Sequence, residues 1–231
     1  MLKKAIHKAA AKISLRFSGL DRTQVIKKFA QDIGLVYFGY VNQHSDDHRV
    51  VRGLTVSPTH QDDSYCVGTV DGYNISVVDR NDTVMHLDAH GKSDNWLIMA
   101  FDLHTQKRVP HFFVGANNHD MKPYHSLFSS FPNMLNVSMG TKEKYSDEFT
   151  TRFSVYARPA KAFEIENLLD TKITQTLAAH LWPFSVEQHD NVLYLYASNQ
   201  SIDHTLLARM LENGLLIANH LDKQADAVLT T

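Results

Sequence analysis

Two hydrophobic periods alternate along the C-terminal third of the chain. Over residues 151–157 the apolar Phe153, Val155 and Ala157 alternate with Arg152, Ser154 and Tyr156, a period of two that predicts a half-buried strand ended by Pro159. Over residues 162–181 the period lengthens. Ile165, Leu168, Leu169, Ile173, Thr176, Leu177 and Leu181 form a helical stripe, with Glu164 and Glu166 near its positive N-terminal end and Pro183 as its stop. Residues 184–188 and 192–197 predict two short strands around the turn His189-Asp190-Asn191. Asp203 is positioned to cap a last helix carrying Leu206, Leu207, Met210, Leu211, Ile217 and Leu221. The order is strand, helix, strand, strand, helix.

Upstream, residues 35–137 are short apolar runs divided by turn residues, the pattern of an antiparallel sheet. Strands are predicted over 36–41, 51–56, 65–70, 73–78, 96–103 and 111–114. Asp71-Gly72 supplies a type I′ hairpin turn and His104-Thr105-Gln106-Lys107 a second turn. Residues 117–133 predict a loop with at most a short helix near 124–128, and the polar stretch 140–148 a connector. Before the sheet, Asp21 and Gln24 form a capping box for a helix with Val25, Ile26, Phe29, Ala30 and Ile33 on one side and Gly34 at its end. A separate first helix is predicted ahead of Ser18-Gly19: Leu2, Ile6, Ala9, Ala10, Ile13, Phe17 and Leu20 fall within one arc of roughly 100°, away from Lys4, Lys8 and Lys12. The expected fold class is α+β: a mainly antiparallel sheet followed by a strand-helix-strand-strand-helix unit, with two N-terminal helices. The corresponding segments are 1–34, 35–140 and 141–231, the last two able to share a core.

With 231 residues and 43% hydrophobic content, the chain can bury a full core without disulfides. Cys66 is its one cysteine, which points to a reducing, cytoplasmic setting, and no run reaches the roughly 18 apolar residues of a spanning helix. The net charge of -2 conceals an asymmetry: five bases and no acid precede Asp21, leaving eighteen bases against twenty-five acids in the remainder. An acidic body with a basic head argues for a local electrostatic contact rather than a nucleic-acid groove. The head admits three readings: a face packed on the chain's own core, an interfacial helix with its lysines on anionic headgroups, or an acid-poor transit segment.

Chemistry has fewer signals. Fourteen histidines raise the question of metal, and His86-Leu87-Asp88-Ala89-His90 would set three polar groups on one strand face, the basis for an alternative reading as a metal-dependent hydrolase. His44-Ser45-Asp46-Asp47-His48, His60-Gln61-Asp62-Asp63 and His119-Asp120 lie in segments rich in turn residues, where exposed polar loops are expected. The sequence has no H-E-x-x-H, C-x-x-C, G-x-S-x-G or phosphate-loop motif, and Cys66 within an apolar run reads as a small buried hydrophobe. No catalytic, cofactor-binding or metal residue is assigned, and no cofactor is expected. Phe38 and its neighbours Tyr37 and Tyr40 alternate as in a sheet, so a nucleic-acid-binding accessory protein is a further alternative with little basic surface behind it.

Taken together, Tyr65-Cys66-Val67-Gly68-Thr69-Val70-Asp71-Gly72-Tyr73-Asn74-Ile75, the strand Val109-Pro110-His111-Phe112-Phe113-Val114, Asp147-Glu148-Phe149 leading into Phe153-Ser154-Val155, and Val192-Leu193-Tyr194-Leu195-Tyr196 before a helix resemble a bacterial family. Its members commonly join membrane-spanning helices to a soluble α+β domain, and it has no assigned activity. The resemblance implies no catalytic residue, and this chain departs from it in lacking spanning helices. The expected function is a non-catalytic interaction or scaffold protein, peripheral to an anionic membrane surface or a protein partner through Leu2, Lys4, Ile6, Lys8, Lys12, Ile13 and Phe17.

Overall fold

Of the 231 residues, the structure, a computed structural model, describes 21–40, 51, 53, 55, 60–84, 92–117, 131, 133–137, 145–198 and 200–228. Among the described residues nine strands form one antiparallel sheet: β1 (Val36–Gly39), β2 (Gln61–Val70), β3 (Tyr73–Val84), β4 (Lys92–Asp102), β5 (Phe112–Ala116), β6 (Leu135–Asn136), β7 (Phe153–Ala157), β8 (Ser185–His189) and β9 (Val192–Ser198). Across the sheet their order is β1-β2-β3-β4-β9-β8-β5-β7-β6. Among the described residues the α-helices are α1 (Arg22–Ile33), α2 (Asp147–Arg152), α3 (Ala162–Leu168), α4 (Thr171–Thr176) and α5 (His204–Val228).

Local signals set the helix ends. Asp21 accepts from the Gln24 N–H at 2.7 Å, and Gly34, at φ 81°, turns its own N–H back to the Ala30 and Gln31 carbonyls. Asp203 caps α5 by accepting from the Leu206 N–H at 2.7 Å. The stripe over 162–181 is not one helix. Asp170 takes the Ile173 N–H at 2.9 Å and so starts α4 afresh, and a π turn, Leu177–Leu181, completes the segment. Gly214 lets α5 lie directly on the sheet, since a Cβ there would come within 2.0 Å of the Phe101 ring.

Strand alternation separates two apolar layers. On one face Val77, Leu97, Met99, Phe101, Val114, Leu193 and Leu195 pack with Phe29 of α1, Ile165 and Leu168 of α3 and Leu207, Met210 and Leu221 of α5. On the other, Val78, Trp96, Ile98, Phe113, Tyr194 and Tyr196 gather with Val51 and Met134 from the connecting segments. A bulge in β2 between Asp63 and Cys66, with Ser64 at φ 53°, reverses the alternation. Asp62 therefore lies on the second face while Cys66 joins the helical one.

This architecture overturns the expected order of a sheet followed by a strand-helix-strand-strand-helix unit. β9 and β8 occupy the middle of the sheet, β9 pairing with β4 from Trp96↔Ser198 to Asp102↔Val192, and β7 lies between β5 and β6. Both faces of β9 are buried, Leu193, Leu195 and Ala197 in one layer and Tyr194 and Tyr196 in the other, as befits a strand in the middle of the sheet rather than at its edge. Of the two N-terminal helices expected, the structure shows α1; the first lies outside the described residues. Val51, Gly53 and Thr55, expected in a strand, instead cross the second face.

Candidate functional site

The second face holds a row of buried polar groups. Arg80 of β3 stands opposite Asp62 of β2, and both side chains are fully buried. The guanidinium donates to the two Asp62 oxygens at 2.6 and 2.7 Å, to Thr55 Oγ1 at 3.0 Å and to the Val51 carbonyl at 2.6 Å. This fork binds the segment through 51 and 55 across the sheet. Gly53 lies between them at φ 142°, and a Cβ there would fall 2.3 Å from the Tyr196 hydroxyl and 2.7 Å from Glu187 Oε2. Only glycine lets the backbone pass so close.

Beneath that crossing, the Tyr196 hydroxyl donates to Glu187 Oε2 at 2.5 Å, and His111 Nε2 lies 2.7 Å from Glu187 Oε1. Burial and the adjacent carboxylate hold the Tyr196 phenol well above its ordinary pKa, so it remains a proton donor. The His111 ring touches that of His189 at 4.3 Å between centroids, and Phe131 meets both edge-on. Burial, then the neighbouring His111, lowers the His189 pKa below its ordinary value. Both Glu187 oxygens thus hold donors from within the chain, and Arg80 directs its guanidinium nitrogens to internal acceptors. The row locks strands and crossing segment together.

A different surface lies at the β1 end of the sheet. Val36 and Phe38 share one side of this strand and are 57% and 51% exposed, with Phe38 5.9 Å from the Tyr65 ring at the margin of the second apolar layer; Tyr40, 72% exposed, follows the strand beyond Gly39 at φ 74°. On the opposite side Tyr37 carries the Lys27 ammonium of α1 over its ring at 5.6 Å. Three large exposed apolar side chains at this edge, with a lysine on the opposite side of the strand, form an amphipathic rim.

The sequence-predicted contact residues Leu2, Lys4, Ile6, Lys8, Lys12, Ile13 and Phe17 lie outside the described residues, as do His86, Asp88 and His90, with His44, His48 and His119. Among the described residues no group of three or more His, Cys, Asp and Glu is arranged to hold a metal ion. Asp62, expected in an exposed loop, is instead a buried strand residue. Cys66 is buried, its thiol pushed up to about 12 by burial and donating weakly to the Ser64 carbonyl. Arg80, Glu187 and His111 carried no sequence motif: Arg80 lies among Asp79, Asn81 and Asp82 and Glu187 beside Gln188, so neither stands out as a buried position.

No family model matches the chain, and no curated protein matches its sequence. Among solved structures it is similar to that of the mycobacterial trehalose monomycolate transport factor A, TtfA, at 10% identity and a TM-score of 0.56. What the two share is the fold. The likeness covers 87% of this chain and 93% of that one, so it extends over most of the sheet and its helical layer rather than over one motif. Among the described residues no helix is long and apolar enough to cross a membrane.

Proposed function

We propose that the chain is a non-catalytic interaction protein of a transport-associated kind, working at an anionic membrane surface. The observation that carries this reading is the β1 rim, where Val36, Phe38 and Tyr40 are exposed and Lys27 lies over Tyr37 on the other side of the strand. Exposed aromatic and apolar side chains at a sheet edge that also carries an ammonium match the chemistry of a lipid interface, the rings entering the headgroup boundary and the amine reaching phosphate. The basic head supplies a second contact of the same sign, its lysines contributing about 1 kcal/mol each near an anionic surface. The fold shared with a protein named as a transport factor supports a role in handling or assembling around a cargo, and the resemblance to a membrane-linked bacterial family points to the same setting.

Co-sedimentation with vesicles of anionic phospholipid tests this. Full-length protein should pellet with them. Removal of the first nineteen residues, and separately Phe38→Ser with Tyr40→Ser, should each weaken binding about tenfold or more, the scale of one large apolar side chain withdrawn from lipid. Binding unchanged by both alterations would exclude the membrane reading.

A further inference from the structure

One cluster has no part in the rim. His111 directly precedes β5 and His189 ends β8, and the register Phe112↔Gln188 continued one step brings the two histidines opposite each other on the second face. Their ring centroids are 4.3 Å apart. His111 is tied by its Nε2 to the fully buried Glu187, whose second oxygen is held by Tyr196. Phe131 sits on both imidazoles in edge geometry, at 4.8 Å from His111 and 5.5 Å from His189. Phe131 also packs against the second apolar layer, close in sequence to the buried Met134.

The charges around the pair support one proton more readily than two. Glu187 of β8 offers one negative charge at close range. Asp190, in the β8–β9 turn, lies 3.7 Å from His189 Nε2, but its side chain is largely in water. Arg108, from the connection between β4 and β5, opposes any charge on His189. From β9, Tyr196 and Tyr194 are neutral phenols, and Arg80 of β3, already paired with Asp62, adds positive charge behind Tyr196. Residues 131 and 133–137 carry no charge. A single imidazolium can thus be matched by Glu187, whereas two in ring contact repel each other in a half-buried setting.

We propose that the His111–His189 pair is a proton-operated latch: with at most one charge on the pair Phe131 stays seated on both rings, and a second proton, which needs water at the imidazoles, unseats it. The strands cannot yield first, because His189 is fixed by the β8–β9 pairing His189↔Val192 and His111 by its bond to Glu187. Phe131 belongs to no strand, so its contact gives way. Burial and the neighbouring His111 delay the uptake of charge by His189, which confines the event to acid. The latch is independent of membrane binding by the β1 rim.

Nuclear magnetic resonance of the full chain with labelled aromatic rings tests it, following the histidine titrations and the ring-to-ring contacts of Phe131 from about pH 7.5 to about pH 5. The expected result is loss of the Phe131 contacts to both imidazoles at the midpoint at which His189 titrates, and their retention to His111 throughout the range in His189→Phe. Contacts that persist after His189 has titrated, or that are lost at an unchanged midpoint in His189→Phe, would overturn the proposal. If His189→Phe does not fold at about pH 7.5, His189→Asn decides on the same readout.

Discussion

Arg80 shows how much one side chain can fix. Its fork holds Asp62 and two points of the segment crossing the sheet, all out of water. Removing either member of such a pair leaves a buried charge without its partner, which costs about 3–5 kcal/mol, whereas replacing both with apolar groups is often neutral. Asp62→Leu should therefore destabilise the protein by that amount in urea unfolding, and Asp62→Leu with Arg80→Met should recover most of it. A double variant no more stable than the single one would contradict this account of the pair. Titration belongs at the same scale. His189, and His204 packed edge-on to Phe29, are both held below the ordinary histidine pKa, first of all by burial. The unfolded chain takes up protons before the folded one, so this stability is complete above about pH 6.5 and falls as the pH drops through that value. Urea midpoints at about pH 7.5 and about pH 5.5 check the sign: the acid midpoint should be lower, and an equal or higher one would refute it. Little of this was legible in the sequence. Counting outward from the Asp71-Gly72 turn sets Asp62 opposite Asn81, and only the bulge at Ser64 brings it to Arg80.

Among the elements, α5 contributes more than its apolar stripe. Near its C-terminal end Asp222 accepts from the Tyr73 hydroxyl at 2.7 Å and from the His104 and Thr105 N–H groups at 2.9 Å each. The His104 ring stacks on Tyr73 at 4.1 Å, and Asn191 holds the same connection from the β8–β9 turn by taking the Val109 N–H and donating to the Thr105 and Lys107 carbonyls. Three donors on one nearly buried carboxylate fasten the helix to β3 and to the loop after β4. Asp222→Ala should lower stability by at least about 1.5–3 kcal/mol, the range for a hydrogen bond to a charged group, and thermal unfolding measures it; a variant as stable as the parent would show that the clamp is idle. Caps and tight turns at Asp21, Gly34, Asp71-Gly72 and Asp203 could be read from sequence because each is decided within four residues. The break at Asp170 could not, since the apolar stripe continues through it and only the side-chain cap divides α3 from α4. Nor could the extension of β3 to Val84, because Asp79, Arg80, Asn81 and Asp82 read as a loop until their partners on β4 are known.

For the whole molecule, the decisive fact is the strand order. β1 to β4 form a meander on one side, and the C-terminal hairpin β8–β9 inserts beside β4, carrying β5, β7 and β6 outward from it. Pairing between strands so far apart in the chain is a non-local choice of partner, which periodicity along one strand does not encode. The resulting sheet keeps its described helices on one face, threads the second with an internally paired polar row, and exposes an aromatic rim at the β1 end. That division of labour underlies the proposed membrane-surface role: polar groups within, contact residues at the margin. The measurement that addresses it most directly is equilibrium binding of the full chain to vesicles of graded anionic lipid content at two salt concentrations. The account predicts affinity that rises with the anionic fraction and falls as salt screens the lysines. Equal affinity for neutral and anionic vesicles, or no binding to either, would contradict it.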